Sequence, residues 1–308
     1  MIDPSTRTAL KELLGERVEF DVSLARHTSL RIGGPADALI TPADRDELAQ
    51  VMALCHANRI PTTLLGGGFN VLVKENGIRG VVLRLKKLRA IKRVGACSVS
   101  IEAGASHATI TRYCLENGLS GLEFGAGIPG TLGGWLAMNA GIGVREMKDV
   151  VIEIETLDSA GLTFKTIPRA DLDFRYRSLA NLTTGSVLTR ALLAVSETDL
   201  EKVQGEVDRL LTHRQQTQPT DIPSCGSVFR NPLDDFAGRL IESAGLKGLQ
   251  QGGAEISTVH ANFIVNRGGA TASDVLDLIE KARNAVLNAT GVQLETEVKI
   301  LGETGSLS

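Results

Sequence analysis

The ten residues Gly125-Ala126-Gly127-Ile128-Pro129-Gly130-Thr131-Leu132-Gly133-Gly134 include five glycines. Each glycine destabilises the interior of a helix or strand, so this density predicts a loop. Such loops bring backbone N–H groups close to a ligand, often a phosphate. A second glycine run, Leu65-Gly66-Gly67-Gly68-Phe69-Asn70-Val71-Leu72-Val73, precedes it. Together the two runs predict one large phosphate-bearing cofactor held by two subdomains, although either run alone is also compatible with tight turns and no ligand.

The sequence around these runs predicts a mixture of strands and helices. Residues 44–56 have the pattern of an amphipathic helix, and residues 36–41 and 61–65 on either side read as strands. Residues 150–166 predict a β-hairpin. A capped helix is expected to start at Thr271 and to stop at Gly291. The chain is therefore expected to be of the mixed α/β class.

Composition excludes several classes of function. The chain has 308 residues, enough for about two or three domains, and a formal charge of −3, which argues against a nucleic-acid partner. No apolar run approaches the roughly 20 residues of a membrane span, and the first residues lack the features of a signal peptide. We therefore expect no membrane insertion and a cytoplasmic location. The four cysteines lie far apart, so no metal site is expected.

The segment Asp173-Phe174-Arg175-Tyr176-Arg177-Ser178 alternates arginines with aromatic residues. If it is extended, Arg175 and Arg177 point to one face. A guanidinium beside a cofactor suits a carboxylate substrate, because its fork of donors matches the two oxygens. Surface salt bridges are the alternative interpretation.

Two further segments carry groups that could move or stabilise charge. Residues 223–232 predict a rigid, accessible loop in which Ser227 is either a proton donor or an ordinary turn serine. A serine hydrolase is disfavoured, because the chain has no GxSxG motif. Residues 294–300 read as a strand with Glu295 and Glu297 on the face opposite Val298 and Ile300, and a solvated strand face is the simpler interpretation there.

Taken in order, these segments resemble the UDP-N-acetylenolpyruvoylglucosamine reductases (UDP-N-acetylmuramate dehydrogenases), and the resemblance runs from about Thr28 to Gly302. Each matching piece is modest alone, but their combination in this order is specific. The pieces, besides the two glycine runs, are His27–Ala36, Met138-Asn139-Ala140-Gly141, Tyr176-Arg177-Ser178, Gly226–Pro232, Ala254-Glu255-Ile256-Ser257, His260–Asn266 and Leu294–Val298.

The resemblance implies a fold and a reaction. It implies a two-subdomain FAD-binding fold of the vanillyl-alcohol-oxidase type, over residues 1–92 and 93–205, followed by a C-terminal α/β substrate domain over residues 206–308. It implies that NADPH reduces noncovalently bound FAD at N5. The hydride then passes to the enolpyruvyl group of UDP-N-acetylglucosamine enolpyruvate, which gives UDP-N-acetylmuramate for peptidoglycan synthesis.

The resemblance also assigns individual residues. Arg177, Ser227 and Glu297 match the catalytic trio, with Ser227 as proton donor and the other two stabilising charge. The substrate-binding positions are Asn231, His260 and Arg230, the last as a phosphate contact. The residues implied in FAD binding are Gly66, Gly67, Gly68, Asn70, Val71, Gly127, Ile128, Gly130 and Gly134.

The chain departs from the family pattern at three points. Phe69 replaces a hydroxyl residue of the first glycine run, and Thr217 stands where many members have a lysine. No tyrosine follows Tyr176, which implies the shorter subgroup that lacks a tyrosine-bearing loop over the substrate. The alternative function is another FAD-dependent oxidoreductase of the same fold, acting on a hydroxy acid or an alcohol.

Overall fold

The computed structural model describes residues 2–302. Within this range the α-helices are α1 (Pro4–Leu14), α2 (Arg45–Ala57), α3 (His107–Glu116), α4 (Leu132–Ala137), α5 (Leu200–Thr217), α6 (Ala237–Ser243) and α7 (Ala272–Thr290). None of these helices is long and apolar enough to cross a membrane.

The strands complete a mixed α/β protein, as the sequence predicts. They are β1 (Val18–Ser23), β2 (Pro35–Ile40), β3 (Thr62–Leu64), β4 (Val71–Val73), β5 (Ile78–Leu83), β6 (Ile91–Arg93), β7 (Ser98–Glu102), β8 (Leu119–Ser120), β9 (Gly141–Ile142), β10 (Arg145–Glu146), β11 (Val151–Leu157), β12 (Phe164–Pro168), β13 (Phe174–Arg175), β14 (Ser178–Leu179), β15 (Val187–Ala194), β16 (Ser196–Glu197), β17 (Ser224–Ser227), β18 (Gln250–Gln251), β19 (Ala254–Ile256), β20 (Phe263–Asn266) and β21 (Lys299–Leu301).

The chain divides into two compact units, each built from several stretches of sequence. The first unit contains the residues up to Phe20, Asp37–Gly67 and Gly80–Thr212. The second unit contains Asp21–Ala36, Gly68–Arg79 and the residues from His213 onward. The three functional domains expected above, at 1–92, 93–205 and 206–308, stay a prediction.

One hydrophobic core of the first unit lies between helices α1 and α2 and a four-stranded sheet of order β1-β2-β5-β3. Helix α1 starts where the Asp3 side chain accepts a hydrogen bond from the N–H of Thr6, and Pro4 fits the first helical position. Helix α2 is capped by Asp44 in the same way. Its buried face carries Leu48 and Met52, as its periodicity predicts.

A second core of the first unit lies on a five-stranded sheet of order β12-β11-β15-β7-β6. Strands β11 and β12 pair antiparallel, from Glu153 opposite Pro168 to Leu157 opposite Phe164, which confirms the predicted hairpin. The side chain of Trp135, on α4, is buried in this core. The second glycine run therefore leads directly into packed structure.

The second unit packs α6 and α7 on a four-stranded sheet of order β17-β20-β19-β18. Helix α7 starts with a capping box, in which Thr271 and Asp274 each accept a hydrogen bond from the backbone N–H of the other. It ends at Gly291 in the left-handed conformation, as the sequence predicts. Strand β4 pairs in parallel with β21. This pairing fixes the end of the first glycine run against the C-terminal strand.

We expect the buried carboxylate of Glu255 to make the second unit sensitive to acid. Arg267 donates two hydrogen bonds to Glu255, which together with Gln250 lowers its pKa below the usual value of 4.5, although burial opposes the shift. Because the folded state holds the proton less tightly, this stabilisation is present above pH 4.5 and lost as the pH falls through the lowered pKa. Urea unfolding from pH 7 to pH 3 should show a smaller loss of stability for Glu255→Gln than for the wild type.

The matched control for this titration is Glu280→Gln, on the exposed face of α7. It should keep the wild-type dependence of unfolding free energy on pH. An identical dependence for both variants would show that Glu255 does not contribute to the acid response.

Candidate active site

In the first unit, the first glycine run offers unused backbone donors. The N–H groups of Gly66 and Gly67 donate no hydrogen bond to any residue in the described range. A Cβ added to Gly66 would lie 3.1 Å from the hydroxyl oxygen of Thr131, so this end of the run lies beside the second glycine run. Gly66 is exposed and Gly67 half-buried. These donors fit the recognition of a phosphate.

The second glycine run is not a loop throughout, and the prediction of one is wrong for both ends. Residues Glu123–Gly127 form a 3-10 helix, and α4 begins at Leu132. Helix α4 contains Gly133 because its backbone packs closely on the end of β7, where an added Cβ would lie 3.2 Å from the Cβ of Ala103. The next residue, Gly134, is exposed.

Between these two helices the run is held by hydrogen bonds to its carbonyls. The Ile128 carbonyl accepts a bond from Trp135 Nε1 at 3.2 Å, and the Gly130 carbonyl accepts one from the N–H of His107 at 3.1 Å. Gly127 is buried, and a Cβ there would lie 2.6 Å from the side chain of Ile142. The segment therefore presents a fixed backbone surface.

In the second unit, the first glycine run continues with the buried Gly68, which has φ +75°. A Cβ there would lie 2.3 Å from the carbonyl oxygen of His27, so only glycine fits. The Gly68 carbonyl accepts a bond from the N–H of Ser29 at 2.9 Å. The Ser29 hydroxyl donates to the Ser224 carbonyl at 2.6 Å, which ties the run to β17. No pattern in the sequence predicts this role of Ser29, although the residue lies in one of the matching pieces.

Ser227 and Glu297 lie on neighbouring backbone segments of the second unit. Ser227 ends β17, and the N–H of Glu297 donates to the carbonyl of the next residue, Val228, at 2.8 Å. The amide of Asn70 donates to the Glu297 carbonyl at 3.2 Å. One residue further along, Val71 opens β4 opposite Lys299. The second unit thus brings the end of the first glycine run, the serine and the glutamate together.

The segment around Glu297 differs from the strand expected over residues 294–300. Regular pairing begins only at Lys299, and Thr296 forms an isolated bridge with Phe229. Glu295 has 77% of its side chain exposed, which agrees with a solvated face. Glu297 is half-buried, so the two glutamates occupy different environments.

The backbone after Ser227 is clamped by the buried amide of Asn262. Its nitrogen donates to the Phe229 carbonyl at 2.8 Å, and its oxygen accepts from the Phe229 N–H at 2.9 Å. Close by on the chain, burial raises the pKa of the Cys225 thiol to about 12. The thiol is therefore protonated at neutral pH, which leaves the hydroxyls of Ser224 and Ser227, at the two ends of β17, as its partly accessible side-chain groups.

The three substrate-binding candidates also lie in the second unit. The Asn231 side-chain oxygen accepts a bond from the N–H of Ala237, at the start of α6. The Nη1 atom of Arg230 lies 3.9 Å from Oε2 of Glu295. The Nδ1 atom of His260 accepts from the N–H of Asn262 at 3.2 Å, and burial lowers the pKa of this histidine. His260 is therefore neutral at pH 7 with its proton on Nε2, the form that donates one hydrogen bond.

In the first unit, Arg177 lies in a tight turn and not in the extended segment considered above. Strands β13 and β14 pair with Arg175 opposite Ser178, so Tyr176 and Arg177 form a two-residue hairpin loop. Arg177 has φ +54° and its guanidinium lies over the Tyr176 ring, 4.9 Å from the centroid. Arg175 forms a salt bridge with Asp173, which fits the surface interpretation for that residue.

A buried amide anchors the base of this hairpin. Asn139 has no exposed surface, and its nitrogen donates to the Arg175 carbonyl at 3.1 Å. The same nitrogen donates to Glu146 at 2.9 Å, and its oxygen accepts from the Lys148 N–H at 3.0 Å. No local pattern predicts this role of Asn139, since the partners of a buried amide come from distant parts of the chain.

Comparisons with known proteins agree with this architecture. A model described as an FAD binding domain matches residues 36–166, and one described as the UDP-N-acetylenolpyruvoylglucosamine reductase C-terminal domain matches residues 218–301. A reductase of that name from Syntrophus aciditrophicus is 43% identical over 300 residues, which are 96% of each chain. One from Anaeromyxobacter sp. is 44% identical over 303 residues, 98% of this chain and 94% of the relative.

A solved structure agrees with these relatives. The crystal structure of UDP-N-acetylenolpyruvylglucosamine reductase from Thermus caldophilus superposes with a TM-score of 0.80 at 34% identity, and covers 93% of this chain and 99% of that one. The chain therefore belongs to the UDP-N-acetylenolpyruvoylglucosamine reductase family and is an FAD-dependent oxidoreductase.

Proposed function

We propose that this protein reduces the enolpyruvyl group of UDP-N-acetylglucosamine enolpyruvate with NADPH, through noncovalently bound FAD, to make UDP-N-acetylmuramate for peptidoglycan. Family membership supports the reaction. The observation that carries the residue assignment is the hydrogen bond from the Glu297 N–H to the Val228 carbonyl, which holds the glutamate beside the serine segment. We place the reaction in the cytoplasm, which holds both NADPH and nucleotide sugars.

The glycine runs fit FAD. We assign the pyrophosphate to Gly66, Gly67 and Gly68, because the first two have unused N–H groups and the third sits where no side chain fits. Asn70 and Val71 would continue this contact, and the backbone surface of the second run would hold the flavin ring. The assigned residues of that run are Gly127, Ile128, Gly130 and Gly134. FAD, when bound, supplies hydride transfer from NADPH to the substrate.

Ser227 is assigned the proton transfer. Hydride addition at the β-carbon of the enolpyruvyl group leaves negative charge on the α-carbon and its carboxylate. The hydroxyl of Ser227 gives its proton to the α-carbon as a general acid. A serine hydroxyl is a weak acid, so the neighbouring Glu297 has to hold it in the productive orientation.

We assign binding of the substrate carboxylate to Arg177. Its guanidinium offers two parallel donors to the two carboxylate oxygens. As the α-carbon becomes enolate-like, charge on that carboxylate grows and the interaction strengthens in the transition state. The positive φ of Arg177 is a backbone conformation that an arginine adopts at a cost, and such strain concentrates at functional sites.

We assign binding of the nucleotide sugar to three residues, Asn231, His260 and Arg230. The Asn231 oxygen is occupied by the backbone of α6, which leaves the amide nitrogen as the group that faces substrate. Neutral His260 donates from Nε2 to a sugar or phosphate oxygen. Arg230 supplies the positive charge for the diphosphate, a role that Thr217 cannot fill.

Anaerobic stopped-flow absorbance tests this function directly. Enzyme reduced by one equivalent of NADPH is mixed with UDP-N-acetylglucosamine enolpyruvate, and flavin absorbance near 450 nm should return as product forms. The matched control for the alternative oxidoreductase function mixes the oxidised enzyme with lactate or a simple alcohol, either of which would reduce the flavin and bleach this absorbance if it were a substrate. Reoxidation that does not depend on the enolpyruvyl substrate would contradict the proposal.

Substitution of Gly68 by alanine should weaken FAD binding at least tenfold. The added methyl collides with the His27 carbonyl and forces the glycine run to move. Gly245→Ala is the matched control, because Gly245 has φ +74° but no atom within 4 Å of its added Cβ, so it reports the backbone strain alone. Titration of each apoprotein with FAD, followed by flavin fluorescence, gives the dissociation constants. Equal FAD affinity in the two variants would contradict the assignment of Gly68.

A further inference from the structure

The hairpin that carries Arg177 is anchored by one buried side chain. Asn139 lies two residues beyond the end of α4, and its amide nitrogen holds the carbonyl of Arg175, two residues before Arg177. Both N–H bonds of this amide are used, since the second goes to Glu146. Asn139 itself has φ +41°, a conformation that asparagine tolerates better than most residues.

The other partners of Asn139 fix its orientation. The Lys148 N–H donates to its oxygen, so the amide cannot rotate without losing a hydrogen bond in a site that water does not reach. The Lys148 side chain in turn forms a salt bridge with Glu146 at 2.7 Å. The Arg175 carbonyl is therefore held from a rigid part of the first unit.

Arg177 needs such an anchor. Its φ of +54° in a two-residue loop is unfavourable for a residue with a side chain, so an unanchored hairpin would relax toward other turn conformations. A relaxed turn would point the guanidinium in a different direction. The bond from Asn139 to Arg175 opposes this relaxation at the base of the loop.

We propose that Asn139 is a positioning residue, which holds the Arg177 turn in the conformation that presents the guanidinium to the substrate carboxylate. This inference rests on the role of Arg177 in the proposed function. Asn139 also follows the second glycine run by only five residues, counted from Gly134, so the same short segment serves the flavin surface and the substrate arginine.

An exchange of two side chains tests the single bond to Arg175. In the double variant Asn139→Asp/Glu146→Gln, the glutamine donates to the new carboxylate, and the carboxylate still accepts from the Lys148 N–H. The exchange removes the donor to the Arg175 carbonyl and also the salt bridge between Lys148 and Glu146, and the net charge is unchanged. Glu146→Gln alone keeps the Asn139 amide and is the matched control.

We expect the double variant to be reduced by NADPH at the wild-type rate and to be reoxidised by the enolpyruvyl substrate about tenfold more slowly. The deciding measurement is a double-mutant cycle with Arg177→Ala. If Asn139 acts through Arg177, the exchange should change the reoxidation rate by less than about twofold when Arg177 is already absent. If the exchange slows reoxidation by the same factor with and without the Arg177 side chain, the proposal is wrong.

Two further outcomes distinguish the role of Asn139 from the proposed function. If Arg177→Ala is slow but the exchange variant reacts at the normal rate, only the proposed role of Asn139 is wrong. A full rate in Arg177→Ala would instead contradict the proposed function itself. If the exchange variant does not fold, Asn139→Gly, which keeps the positive φ, replaces it in the cycle. Failure of both variants to fold would assign Asn139 to stability and overturn the positioning role.

Discussion

Replacement of Ser227 by alanine is expected to slow reoxidation of the flavin by UDP-N-acetylglucosamine enolpyruvate by about 10²–10⁴-fold, the usual contribution of a positioned general acid. Reduction by NADPH should remain at the wild-type rate, because that step needs no proton from the protein. Anaerobic stopped-flow absorbance separates the two half-reactions. The expected loss of rate is thus confined to the reoxidation half-reaction.

Two variants sharpen this experiment. Ser224→Ala removes a hydroxyl from the opposite end of the same strand and should leave both half-reactions unchanged. Ser227→Cys offers a side chain that is a stronger acid than serine, and should recover part of the lost rate. An equal fall of both half-reactions in Ser227→Ala would indicate a disturbed flavin site and would contradict the role in proton transfer.

Local signals explain the parts of the fold that the sequence predicted well. The capping box at Thr271 and the stop at Gly291 both lie within one helical turn of the ends of α7. The hairpin over 150–166 likewise depends on neighbouring residues. No element was predicted for residues 4–14, yet Asp3 and Pro4 carry the start signals of α1. These two residues are the local signal for that helix.

Long-range contacts explain what the sequence did not predict. The second glycine run was expected to be a loop, but close packing on Ala103 lets α4 begin inside it. The turn at Arg177 breaks the expected alternation, because the hairpin pairing decides which residues form the loop. The roles of Ser29 and Asn139 depend on carbonyls at Ser224 and Arg175, which no local pattern identifies.

Local patterns do not identify the candidate site. Ser227 and Glu297 are 70 positions apart in the chain, and neither has a local pattern that distinguishes it from a turn serine or a solvated glutamate. The order of the matching pieces singled them out. Within the second unit, the bond from the Glu297 N–H to the Val228 carbonyl gives that pairing a physical basis.

Removal of the Arg177 guanidinium should slow substrate-dependent reoxidation by about 10²–10³-fold, the cost of losing one electrostatic contact to developing charge. Arg177→Lys keeps the charge but not the fork of two donors, so it should recover only part of this loss. Single-turnover mixing of the reduced enzyme with substrate measures both variants. A wild-type rate in Arg177→Lys would show that charge alone suffices.

A comparison of Arg177→Gly with Arg177→Ala separates chemistry from backbone strain. Both lack the guanidinium and should lose activity equally. Alanine at φ +54° retains a strain of roughly 1–2 kcal/mol that glycine avoids, while the flexibility of glycine in the unfolded chain costs about 0.4–1 kcal/mol. Urea unfolding should therefore find the glycine variant more stable by up to about 1.6 kcal/mol. Higher activity in the glycine variant than in the alanine variant would mean that the turn conformation, and not the guanidinium, limits the reaction.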